Sequence, residues 1–73
     1  MNTMTPVEFV TSMYEDACWS YGPEPMTIDD AAYNLRAYKE DEIPVPPRLT
    51  PRTFAKIWNI CYMRDITRKA VEA

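Results

Sequence analysis

Three times along this chain a threonine stands where the first free N–H groups of a helix need an acceptor. The first start is Met4-Thr5-Pro6-Val7-Glu8-Phe9. Thr5 is placed to cap, and Pro6 fits the first helical position, where its missing N–H costs nothing. Glu8 is spaced to reach back and close a capping box. Met4 and Phe9 have the spacing of a hydrophobic staple. The second start is Met26-Thr27-Ile28-Asp29-Asp30, where Thr27 caps and two aspartates meet the positive end of the helix dipole. The third, Leu49-Thr50-Pro51-Arg52-Thr53-Phe54, repeats the first design with Leu49 and Phe54 as the staple. The shared T-P-x-x-F is reused capping chemistry rather than a duplicated domain, because the flanks differ.

Apolar spacing extends each start into a helix. The first is expected over residues 6–20, burying Val10, Met13, Tyr14, Ala17 and Tyr21 at three- and four-residue intervals. Gly22, the single glycine, ends it, and Pro23 and Pro25 prevent a restart. The second is expected over 28–41, burying Ile28, Ala31, Ala32, Leu35 and Tyr38. The run Glu40-Asp41-Glu42 opposes the dipole at its C-terminus, so this end is expected to fray. Ile43-Pro44-Val45-Pro46-Pro47-Arg48-Leu49 reads as a stiff, extended spacer that lays Ile43, Val45 and Leu49 across the bundle. The third helix, over 51–70, turns Phe54, Ile57, Trp58, Cys61 and Tyr62 inward and is expected to be the longest, most apolar element and the spine. No stretch alternates as a strand does. The expected class is all-α: a small three-helix bundle with a proline-rich extended linker between helices two and three, one domain over 1–73. At 73 residues there is no room for a second core. A chain this short buries only about 60% of its unfolded surface, so it must fold economically, bind a partner or self-associate.

Composition excludes much chemistry. Histidine is absent, which removes Ser-His, Cys-His and His-metal sites. One glycine cannot build a phosphate-binding loop, and two cysteines without histidine cannot close a structural zinc site. Neither Glu15/Asp16 nor Asp29/Asp30 makes a shared acid–base pair, because adjacent helical residues point apart. The expectation is a protein that is not an enzyme and takes neither cofactor nor metal. No apolar run approaches the ~18 residues of a membrane span. Met1 to Phe9 does not read as a signal peptide. Cys18 and Cys61 sit in apolar helical patterns and are expected to be reduced thiols in the cytoplasm.

Charge divides sharply along the chain. Through Glu42, nine acidic residues face two basic ones, a net −7; from Ile43 onward, six basic residues face two acidic ones, a net +4. One reading is intramolecular, with an acidic helix pair attracting a basic third helix. The other is a two-signed surface for a charged partner. Arg48, Arg52 and Lys56, with Asn59 a turn on, form an array that can contact phosphates. The acidic net charge and the proline-rich spacer before helix three argue against a DNA-binding helix-turn-helix. Trp19 and Tyr33 project away from the buried stripes, and Ile60, Met63 and Ile66 spread beyond the inward face of helix three. Exposed aromatics and methionine are what interface cores are enriched in.

In style and size, Asp30-Ala31-Ala32-Tyr33-Asn34-Leu35-Arg36, followed by Leu49-Thr50-Pro51 and Phe54-Ala55-Lys56-Ile57-Trp58-Asn59, resembles small accessory proteins of phages and mobile elements. The resemblance implies an inhibitor that occupies the basic surface of a host nucleic-acid-handling complex, with acidic side chains standing in for phosphates. The expected function is therefore a small non-enzymatic protein-interaction module. Its partner contacts would be Trp19, Tyr33, Glu40, Asp41 and Glu42, with self-association as a homodimer through Ile60, Met63 and Ile66. The alternative is a DNA-binding regulator using Arg48, Arg52, Lys56 and Asn59.

Overall fold

The computed structural model describes residues 4–72, except the side chain of Glu72. The ends of the expected 1–73 domain, residues 1–3 and 73, lie outside the described residues. Three helices form: α1 (Pro6–Tyr21), α2 (Ile28–Glu40) and α3 (Pro51–Glu72). Among the described residues there is no strand.

The starts follow the capping chemistry. Thr5 Oγ1 accepts the Glu8 N–H at 3.2 Å while the Thr5 N–H donates to Glu8 Oε1 at 3.0 Å, closing the box. These bonds to the charged form hold the Glu8 carboxyl below its ordinary 4.5. Thr27 Oγ1 accepts the Asp30 N–H, and Thr50 Oγ1 accepts the Thr53 N–H.

α3 is the spine: α1 and α2 both pack against it, and no Cα of α1 comes within 8 Å of a Cα of α2 among the described residues. Thr11 meets Cys61 and Tyr14 meets Asp65, so α1 runs parallel to α3. Met26 meets Asn59 and Tyr38 meets Phe54, so α2 runs antiparallel to it. α3 is the longest helix, as expected, but α1 is the more apolar. A spine covered on two sides needs no single dominant apolar stripe.

An aromatic circuit joins the three helices. The Phe9 ring meets Tyr38 edge-on at 5.8 Å, Tyr38 stacks near Phe54, Phe54 stacks near Trp58, and Trp58 meets Tyr14 edge-on at 5.2 Å. Each pair lies within the 4.5–7 Å range of favourable ring contacts. Phe9, Val10, Tyr14, Met26, Ala31, Leu49, Phe54, Ala55 and Trp58 are buried. Met13, Leu35, Ile57, Cys61 and Tyr62 are half-buried around them.

Two positions depart from the expected stripes. Tyr21 is 83% exposed, because it lies on the last turn of α1, beyond the packed residues. Ile28 is 50% exposed, while Met26, just before α2, is buried in the core. The cause lies in α3. The Asn59 carboxamide accepts the Met26 N–H and donates to the Met26 carbonyl, both at 2.8 Å. Trp58 Nε1–H donates to the Glu24 carbonyl at 2.7 Å. The loop between α1 and α2 is thereby fixed to the spine, with Met26 turned in.

The end of α2, expected to fray, closes in a cap. The Ile43 N–H donates to the Tyr38 carbonyl at 2.9 Å and the Glu42 N–H to the Lys39 carbonyl at 3.2 Å. These are the two bonds of a Schellman cap, and they satisfy carbonyls that the acidic run was expected to leave loose. The cap requires a left-handed residue, and Glu42 adopts it with φ 59°. From there Ile43 and Val45 pack on the core and Pro46 is buried. The chain turns at Pro47–Arg48, where the Leu49 N–H reaches the Pro46 carbonyl at 3.2 Å. The connection is therefore not extended throughout.

Candidate interaction surface

The Schellman reversal places three exposed carboxylates, Glu40, Asp41 and Glu42, at the C-terminal tip of α2. The negative end of the helix dipole points to the same place and deepens the negative potential. Lys39 is the one nearby basic side chain on this turn.

Beside the tip lies an open hollow of about 450 Å³ between α2 and the connection, lined by Leu35, Lys39, Glu42, Ile43, Val45 and Leu49. Its walls are aliphatic and its rim is charged. Glu42 belongs to both features, as part of the acidic tip and of the hollow's lining.

The other expected contact residues lie on separate surfaces. Trp19, 93% exposed, borders the α1–α3 groove with Arg64 and Arg68. Tyr33, 73% exposed, borders a different cleft, between α1 and α2, whose floor includes Trp58. Trp19 and Tyr33 thus line different recesses, and neither lines the hollow beside the tip.

Arg48, Arg52 and Lys56 are all exposed at the start of α3. Asn59 does not join them, since both ends of its carboxamide are committed to Met26. Ile60 and Met63 are about half exposed, and Ile66 is half-buried. At helical spacing, Arg52, Lys56, Ile60 and Met63 fall on one outward face of α3, so the basic array and the expected dimer contacts share it.

The α1–α3 groove holds further polar contacts of the interior. The buried Tyr14 hydroxyl donates to Asp65 Oδ2 at 2.8 Å. Burial, then hydrogen bonding with Cys18 and Asp65, raises its pKa well above the ordinary value of 10.0. Burial likewise raises that of Tyr38. Cys18 and Cys61 are free thiols that line the same groove. Among the described residues no three Cys, Asp or Glu side chains gather as a metal site requires, and no helix is long and apolar enough to cross a membrane.

No protein-family model, curated protein or solved structure matches this chain.

Sequence reasoning missed the hollow and the Asn59 clamp. The signal for the hollow was the alternation Ile43, Val45 across a proline-rich stretch directly after an acidic run. For the clamp there was none, because a carboxamide holding a distant backbone leaves no periodic trace.

Proposed function

We propose that this chain is a non-enzymatic protein-interaction module that uses the acidic tip of α2 to engage a basic surface on its partner. The observation that carries the reading is Glu42. A side chain at φ 59° costs roughly 1–2 kcal/mol relative to ordinary backbone, and glycine would remove that cost. The chain instead holds a third carboxylate there, beside two others and a dipole of the same sign. Strain of this kind is characteristic of binding sites.

Surface area supports a partner. The chain exposes 5776 Å², against about 4,700 Å² for a compact monomer of its mass. That open surface leaves room for the ~800 Å² that one protein contributes to a standard interface. In its most concrete form, the reading is an inhibitor from a phage or mobile element. It would occupy the phosphate-binding surface of a host nucleic-acid-handling complex. It acts in the cytoplasm, a location that two unpaired thiols favour. Pro44 and Pro46 stiffen residues 43–46, which holds the tip in place. Trp19 and Tyr33 are secondary contacts, and a second copy of the chain packs on Ile60, Met63 and Ile66.

The second reading, a DNA-binding regulator, draws on the exposure of Arg48, Arg52 and Lys56 at one helix start. The test captures binders from lysate with and without nuclease treatment and compares two charge-reversed triple variants in the same binding assay. Glu40, Asp41 and Glu42 changed to Lys should slow association most. Loss of binding only when Arg48, Arg52 and Lys56 become Glu would replace the first reading with the second.

A further inference from the structure

We propose that the hollow beside the acidic tip receives one bulky apolar side chain from a partner segment whose neighbouring residues are lysine or arginine. This rests on the interaction reading above and specifies its ligand.

Leu35 on α2 and Ile43, Val45 and Leu49 on the connection supply four aliphatic walls. The volume of about 450 Å³ lies at the small end of ligand sites. It has room for one bulky inserted side chain together with the backbone that carries it. Filling it removes apolar surface on both partners from water, the non-directional part of the affinity. Orientation comes from charge. Glu40, Asp41 and Glu42 outnumber Lys39, and the C-terminal dipole adds to them, so the residues flanking the anchor are cationic. Glu42 couples the two parts, since it lines the hollow and belongs to the acidic run. The α1–α3 groove fits this ligand less well. It places Arg64 and Arg68 against Glu15 and Asp65 and has no net sign.

The experiment uses the full chain labelled with ¹⁵N and short synthetic peptides followed by amide shifts. Three peptides are lysine-rich with Phe, Leu or Ser at the centre, and a fourth has Phe flanked by glutamate. The Phe- and Leu-centred basic peptides should shift Leu35, Ile43, Val45 and Leu49. The Ser-centred one should bind about tenfold more weakly or worse, and the glutamate peptide should not bind. Glu42→Gly should weaken the Phe-centred peptide by up to about fivefold while raising thermal stability, so the loss cannot be misfolding. If the Ser-centred peptide binds the tip as tightly as the Phe-centred one, the hollow is no anchor site and only the acidic-tip reading stands. Shifts that map away from the hollow overturn the proposal too. If no basic peptide perturbs Glu40, Asp41 or Glu42, both readings fall.

Discussion

Asn59 does with one carboxamide what a strand partner does with a peptide group: it accepts and donates to the same residue, Met26. Asn59→Ala should cost about 2 kcal/mol, since two net hydrogen bonds of roughly 1 kcal/mol each are lost. Urea unfolding measures this, and a loss under 0.5 kcal/mol on the order of measurement error would show that the clamp is ornamental. Asn59→Asp keeps the acceptor but sets an oxygen against the Met26 carbonyl, so it should be no better than alanine. Glu42 behaves oppositely. Glu42→Gly relieves the left-handed backbone and removes a negative charge from a helix C-terminus, so stability should rise by about 0.5–1 kcal/mol. A lower melting temperature for this variant would contradict the strain argument.

Between elements, Tyr14 and Asp65 tie α1 to the spine through a bond that depends on the phenolic proton. The folded protein holds that proton more tightly than the unfolded chain does, as the raised pKa of Tyr14 requires. Its stabilisation is therefore complete below the ordinary 10.0 and is lost as pH climbs above it. Tyr14→Phe should cost about 1–2 kcal/mol at neutral pH and flatten the decline in stability between neutral and alkaline solution, which denaturant titrations at the two extremes would reveal. Glu8 has the reverse sign. Its lowered pKa adds stability above 4.5 that disappears as pH falls below it, so the first turn of α1 should loosen in acid. The helices themselves were legible, because caps are local: Thr5, Thr27 and Thr50 all cap as their spacing requires. Tyr21 and Ile28 were misread because periodicity reports which face of a helix is apolar but not how far along its length a neighbour covers it. The cap on α2 was not legible, because Glu40-Asp41-Glu42 shows side-chain repulsion in the sequence, whereas the backbone bonds of the cap do not show there. The acidic tip was thus legible as charge, and its aliphatic hollow was not.

At the scale of the whole molecule, the radius of gyration of 12.7 Å exceeds the roughly 11 Å expected of a compact chain this long. The open outline leaves the outward face of α3 available. Ile60 and Met63 on that face should bring two copies together at high micromolar concentration, and Met63→Lys should restore the monomer. Sedimentation of the parent chain as a monomer throughout that range would rule the contact out.

The spine has a kinetic meaning as well. α2 and α3 are consecutive, so their union closes only the short connection between them, whereas α1 meets α3 at separations of 50 and 51 residues. Among the described residues no Cα of α1 lies within 8 Å of one of α2, so α1 docks chiefly on α3, and its Phe9 ring meets Tyr38 once α2 lies against α3. Loop-closure entropy then orders the search: the C-terminal hairpin nucleates, and the N-terminal helix condenses onto it last. Truncation in the α2–α3 interface, at Phe54, should slow folding, whereas truncation at Val10 should mainly hasten unfolding.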